Sequence, residues 1–197
     1  MPAERWPTGS LAPPPLTCDG RGGCGASQTD PVYTIHATKK LLDRVKQPVA
    51  LPVEEPSTAL GHWYATVLFW KPQVALFVNE RTLLPVFVPL APAAKVAARF
   101  PDQLGRVFDG LGVPVEFVLQ EAGAMSEASY AKTANRSVVG SMNDFAFMAD
   151  VARAHGQGDD LVALSVDLAD TPCGRLRKGH GFPDREVEAI VAAVLGE

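Results

Sequence analysis

A regular alternation of apolar and polar positions begins abruptly at Val32, and the chain before it carries no such pattern. Val32–Ile35 reads as a short strand, rich in β-branched and aromatic residues. Thr38 is placed to cap a helix over Lys39–Lys46, with Leu41, Leu42 and Val45 on one side and Pro48 beyond its end. Three strand-like runs follow, Trp63–Trp70, Val74–Asn79 and Leu83–Leu90, broken by Lys71-Pro72-Gln73 and by Glu80-Arg81. Gaps this short predict an antiparallel meander, because parallel neighbours need a long crossover. Pro85 and Pro89 cannot donate to a ladder, which pushes the third run to an edge.

The second half mixes both periods. Ala93–Phe100 and Pro101–Leu111 read as two helical pieces, with Pro101 suited to a first helical position and Gly112 to the stop. Val115–Leu119 reads as a strand, Glu121–Ala128 as a helical turn or two, and Tyr130–Thr133 as a strand. The strongest helix spans Ser137–His155, where Val138, Met142, Phe145, Ala149 and Ala152 form one apolar stripe. Gly156-Gln157-Gly158 ends it. Leu161–Leu168 alternates as a strand does, and Pro183–Leu195 closes the chain as a helix with Val187, Ile190, Val191 and Val194 inward. The pattern predicts one α+β domain over residues 32–197, a largely antiparallel sheet packed by several helices.

Residues 1–31 read differently. Five prolines and five glycines fall within the first 30 residues, too little apolar material to offset the entropy of ordering. The expectation is a disordered, flexible Pro/Gly-rich tail, with the working protein beginning near Tyr33.

Composition narrows the class. A chain of 197 residues, 47% hydrophobic and 20% charged, can bury a core without disulfide staples. The net charge of −4 opposes attraction of the whole surface to nucleic acid or anionic lipid, and leaves a local basic patch open. Cys18, Cys24 and Cys173 form no disulfide framework and suit a reducing compartment. The longest uncharged apolar-rich stretch, Leu83 to Ala94, is 12 residues long and holds three prolines, whereas a membrane span needs about 20 apolar residues. Met1 to Asp30 lacks the apolar core of a signal peptide, so a cytoplasmic location is expected and no membrane partner.

Most familiar chemistries fail on context. Gly20-Arg21-Gly22-Gly23-Cys24-Gly25 matches a dinucleotide fingerprint, but Pro13–Pro15 precede it and Asp30-Pro31 follow, where a strand and a helix are required. No cofactor is expected. Cys18 and Cys24 are separated by five intervening residues with no paired ligands near, and His36, His62, His155 and His180 are scattered, so no metal is expected. Cys173 reads as a small packed residue at a turn, since no base can be placed beside it. Trp63-Tyr64 and Phe69-Trp70 could stack on bases, but aromatics in strands more often belong to the core.

One polar stretch is the exception. Lys132-Thr133-Ala134-Asn135-Arg136-Ser137 stands where a strand meets the longest helix, and Asn135 is placed to cap it. Unpaired helix N–H groups, with Lys132 and Arg136 adding full charges, favour an anion such as phosphate. The plainer reading is a capped helix whose charges face water. A second polar turn, His36-Ala37-Thr38-Lys39-Lys40, also joins a strand to a helix, and His36 is either an acid–base group or a hydrogen-bonded structural histidine. Asn143 and Asp144 lie two turns into the long helix, off its apolar stripe.

From Ile35-His36-Ala37-Thr38-Lys39-Lys40-Leu41-Leu42 onward the chain resembles a bacterial family, the DUF6933 family. The likeness continues through Val78-Asn79-Glu80 with Leu83-Leu84-Pro85-Val86, then Lys132 to Val138, Gly140 to Phe145, and Thr171-Pro172-Cys173-Gly174. It spans about residues 32–195 and leaves the tail outside. The resemblance implies no activity and no catalytic residues.

Two functions compete. One is binding of a phosphate-bearing ligand, nucleotide or nucleic acid, by Lys132, Asn135, Arg136 and Ser137, completed by His36, Thr38 and Lys39; phosphoester chemistry would follow only if His36 lies close enough to act. The other is a protein-interaction module without chemistry, using the edge strand near Leu83–Leu90. The discriminating question is whether the turns at 36–39 and 132–137 meet in space.

Overall fold

Strand-forming residues in five short runs share one sheet. In the computed structural model, which describes residues 32–52, 55–176, 178–179 and 181–196, these runs are β1 (Val32–Ala37), β2 (Trp63–Leu68), β3 (Val74–Asn79), β4 (Pro85–Pro89) and β5 (Glu127–Lys132). Their order across the sheet is β4-β3-β2-β1-β5. The β2–β3–β4 meander is antiparallel, with Trp63 opposite Asn79 and Val74 opposite Pro89, and proline-bearing β4 is an edge. The other half is parallel: β1 pairs with both β2 and β5 in the same direction. The sheet is therefore mixed. Parallel pairing is open to β1 because long connections separate it from both partners.

Among the described residues the connections and the second half supply six helices: α1 (Lys39–Val45), α2 (Val96–Gly110), α3 (Val115–Ala124), α4 (Arg136–Ala154), α5 (Leu161–Ala169) and α6 (Pro183–Leu195). Two of them replace expected strands. Val115–Leu119 is the first half of α3, which buries Phe117 and Glu121 four residues apart and leaves Val115 and Leu119 in solvent. Leu161–Leu168 is α5: Asp160 accepts from the Val162 and Ala163 N–H groups, and Leu164, Ser165, Leu168 and Ala169 are buried at helical spacing. In a run this short and apolar, the period cannot be told from a strand without knowing what it packs against. Pro101 does not start a second helical piece; it lies inside α2, which follows a 3-10 turn at Ala93–Lys95. The expected helical stretch Glu121–Ala128 stops at Ala124, and β5 begins at Glu127, three residues before Tyr130. The expected tail, with Cys18, Cys24 and the glycine cluster, lies outside the described residues, as does His180.

Two apolar faces follow from strand alternation. Tyr33, Ile35, Trp63, Phe77 and Val86 point to one side, against Leu41 and Val45 of α1, Phe100 and Leu104 of α2, and Val187 of α6. Tyr64, Leu76, Val78 and Phe87 point to the other, against Val138, Met142 and Phe145 of α4 and Leu164 and Leu168 of α5. Helix α5 also closes the β4 edge, where the Phe87 N–H donates to Ser165 Oγ at 3.1 Å. An exposed edge would invite another chain; here its central donor is occupied.

Two buried polar side chains tie the loops before β2 and after β3. Glu121 accepts from the Ala59 N–H at 2.7 Å and the Leu60 N–H at 3.1 Å. Burial pushes its carboxyl above the usual range, against the pull of those two donors. Asn79 donates to the Leu60 carbonyl and accepts from the Arg81 and Thr82 N–H groups, shaping the β3–β4 turn. That turn holds Leu83 at φ 58°, a left-handed conformation costing a non-glycine residue about 1–2 kcal/mol. Full burial of the Leu83 side chain and the Asn79 bonds offset the strain.

The α4 stripe sets a stability test. Phe145 is 1% exposed, so Phe145→Ala should cost about 3–5 kcal/mol in urea denaturation. A loss below about 1 kcal/mol would place the ring outside the core.

Candidate functional site

Strands β1 and β5 end side by side, with His36 opposite Ala131 and Ala37 opposite Lys132. The polar turns at 36–39 and 132–137 therefore meet. His36 Nδ1 lies 3.1 Å from the Lys132 carbonyl oxygen. A carbonyl only accepts, so Nδ1 carries the proton of this bond and Nε2 is the basic nitrogen of the neutral ring. The ring stacks on Tyr64 at 4.7 Å between centroids and meets His62 edge-on at 5.7 Å. With 4% of its surface exposed, His36 is a structural link between the turns before it is anything else.

From Tyr64 the network passes to the start of α4. The Tyr64 hydroxyl accepts from the Asn135 backbone N–H at 3.1 Å and donates to Glu80 Oε1 at 3.4 Å. Burial pushes the Tyr64 phenol above its ordinary pKa, the Asn135 N–H opposes this, and the Glu80 carboxylate adds to it. The phenol accordingly remains a donor at neutral pH. Asn135 occupies the expected capping position, its Oδ1 accepting from the Ser137 N–H at 3.1 Å and the Val138 N–H at 3.4 Å. Its Nδ2 donates to Glu80 Oε1 at 3.3 Å, and Arg175 Nη1 donates to its Oδ1 at 3.2 Å. Arg175 Nη2 also reaches the Glu80 carbonyl at 3.5 Å. One amide side chain thus joins the β3–β4 turn, the start of α4 and the segment after α5.

Five of the seven expected site residues gather at this junction, in two groups. His36 and Asn135 are held in the network, while Lys132, Arg136 and Ser137 stand exposed around it. Among the described residues neither the Lys132 nor the Arg136 side chain has a hydrogen bond or ion pair. Thr38 sits at the first position before α1 but does not cap it; its hydroxyl lies 3.0 Å from the Thr66 hydroxyl on the adjacent strand, which takes the bond a cap would use. Lys39 begins α1, which packs on the sheet face opposite α4, and no bond joins it to the other six.

Three members of the network escaped the sequence reading: Tyr64, Glu80 and Arg175. Tyr64 reads as one more strand aromatic, Glu80 as part of the break between two strands, and Arg175 belongs to none of the sequence motifs. Only the β2–β3 register, Trp63 opposite Asn79, brings Glu80 alongside Tyr64. A signal was present in the segments that carry the family likeness, because His36, Glu80, Asn135 and the residue after Gly174 all belong to or border them.

Other candidate groups are spoken for. The Cys173 thiol lies 3.5 Å from the Thr171 carbonyl oxygen, and burial together with the Asp144 carboxylate pushes its pKa up to about 11. It stays a thiol at neutral pH, which is a poor nucleophile. Trp63 and Tyr64 are core residues; Trp70 Nε1 donates to Asp150 at 2.6 Å, and Phe69 is exposed. Among the described residues no group of three or more His, Cys, Asp or Glu side chains could hold a metal ion.

Beside the network a cavity of about 430 Å³ separates the β5–α4 turn from the 49–52 segment. Lys132, Thr133 and Ala134 line one side, and Val49, Leu51 and Pro52 the other. It pairs a cation with an apolar wall.

A family model described as a domain of unknown function (DUF6933) matches residues 34–186. No curated protein and no solved structure matches the chain.

Asn135→Ala should cost about 1–2 kcal/mol of stability through the lost cap. Asn135→Asp keeps the capping oxygen but sets a carboxylate against Glu80. It should recover more of the loss at about pH 4 than at about pH 7, because protonating the introduced carboxyl removes the repulsion. Equal stability of wild type and Asn135→Ala in denaturant titrations would show that the network contributes nothing.

Proposed function

The chain belongs to the DUF6933 family, and since that membership carries no activity, we propose from the site itself that the protein binds a phosphate-bearing ligand at the start of α4. The observation behind this reading is a pair of exposed cations without side-chain partners among the described residues: Lys132 lines the 430 Å³ cavity beside the junction of the two polar turns, and Arg136 opens α4. Glu80 already offsets part of the positive end of α4, so the helix dipole is not the main attraction. The phosphate is held by the two side-chain charges and the Arg136 end of the helix. The apolar surface of Val49, Leu51 and Pro52 suits a base or another flat apolar group attached to it.

Binding rather than catalysis is the better reading, because His36 is buried and its Nδ1 is engaged with the Lys132 carbonyl. Nucleotide or short single-stranded nucleic acid is the ligand class. Partner binding through the 83–90 edge has less support, since α5 covers that edge and takes up the Phe87 N–H. No helix is long and apolar enough to cross a membrane among the described residues.

Thermal melts with inorganic phosphate, mononucleotides, and short RNA and DNA test the reading. A ligand at 100 times its Kd should add about 2.7 kcal/mol. Arg136→Ala and Lys132→Ala should each remove most of that gain while changing the ligand-free protein by less than about 0.5 kcal/mol. The reading fails if none of these ligands moves the melt, or if Arg136→Ala unfolds the protein on its own.

A further inference from the structure

A second cavity, of about 610 Å³, opens between β5 and the start of α2. Its volume falls within the roughly 300–1,000 Å³ usual for small-molecule sites. The small side chains of Ala94, Ala97 and Ala98 create the indentation on the helix side, and Met125 adds apolar surface. Tyr33 and Tyr130 form part of the wall across from them. Tyr33 is fully buried, yet its hydroxyl has no hydrogen-bond partner among the described residues. Native proteins leave few buried donors unpaired, because each gives up its bonds to water without replacement. Burial raises the pKa of both phenols, Tyr130 to about 12, so both are neutral donors at physiological pH.

We propose that this cavity is a binding site for an uncharged small molecule with an apolar body and a carbonyl-type oxygen, which accepts the hydrogen bond of the Tyr33 hydroxyl. Glu127 is the one charged residue among the described lining, and no cation faces it, so the cavity disfavours anions. That separates it chemically from the Lys132 site. It is separate in space as well: the Ala50 N–H donates to the Tyr130 carbonyl at 2.8 Å, and Val49 bridges to Tyr130, pinning the 47–52 segment to β5 between the two cavities.

Acetophenone is the probe and benzoate its anionic counterpart of similar shape, both titrated against the full chain by saturation-transfer NMR. Acetophenone should bind saturably and benzoate at least about tenfold more weakly, from the cost of a desolvated charge beside Glu127. Tyr33→Phe deletes only the hydroxyl, so acetophenone should bind about three- to tenfold more weakly. The same variant should leave the melting temperature of the free protein unchanged or higher. Ala98→Trp, at an exposed position in the lining, should abolish acetophenone binding. Both variants should keep any stabilisation by phosphate ligands, which distinguishes failure here from failure of the Lys132 site. The proposal is overturned by absence of saturable acetophenone binding, by equal affinity in wild type and both variants, by benzoate binding as tightly as acetophenone, or by a clear drop in melting temperature of free Tyr33→Phe.

Discussion

The parallel pairing of β1 with two neighbours is the constraint on which the rest of this structure depends. A strand flanked on both sides by parallel partners cannot be reached by hairpins, so the chain must leave the sheet and return. The helical parts of those returns, α1 in one and α2 with α3 in the other, cover one face and bury Leu41, Val45, Phe100 and Phe117 against Tyr33, Ile35 and Trp63. The opposite face is left for α4 and α5. Helix α5 packs apolar residues into both layers, Leu164 and Leu168 on one side and Ala169 on the other, and so closes the β4 edge. The same pairing sets Ala37 level with Lys132, which is why two turns some 95 residues apart share one hydrogen bond.

Around that junction, polar groups are organised for order as much as for recognition. Asn135 satisfies two N–H groups at the start of α4 and gives its own amide protons to Glu80, while Tyr64 closes the ring by accepting the Asn135 N–H. Glu121 and Asn79 do the equivalent for the loop that leads into β2, one accepting its N–H groups and the other donating to its carbonyls. Buried polar groups that are all paired select one register, since a slip by one residue would leave several of them unsatisfied. What these groups leave over is informative. The Lys132 and Arg136 charges and the Tyr33 hydroxyl are polar groups that the fold itself does not use, and Lys132 and Tyr33 each line a cavity.

Much of this architecture was legible along the chain. The β3 strand, the terminal helix α6, the meander with its proline-bearing edge, and the long helix with its Asn135 cap all follow from local period and turn chemistry, which act within a few residues. The errors lie where local pattern is degenerate. Leu161–Leu168 and Val115–Leu119 are short and apolar, and became helices because α5 had an edge to cover and α3 a buried Glu121 to anchor. At the site, Asn135, Lys132, Arg136 and Ser137 were visible because helix starts announce themselves by residue type. Tyr64, Glu80 and Arg175 were not, since their meaning rests on strand register and on chain returning from more than 90 residues away. The sequence by itself determined the α+β class, the capped helix and the charges beside it, because these depend on neighbours in the chain. Only the tertiary structure decided the parallel half of the sheet, the meeting of the two turns and the unpartnered Tyr33, because these depend on which surfaces bury each other.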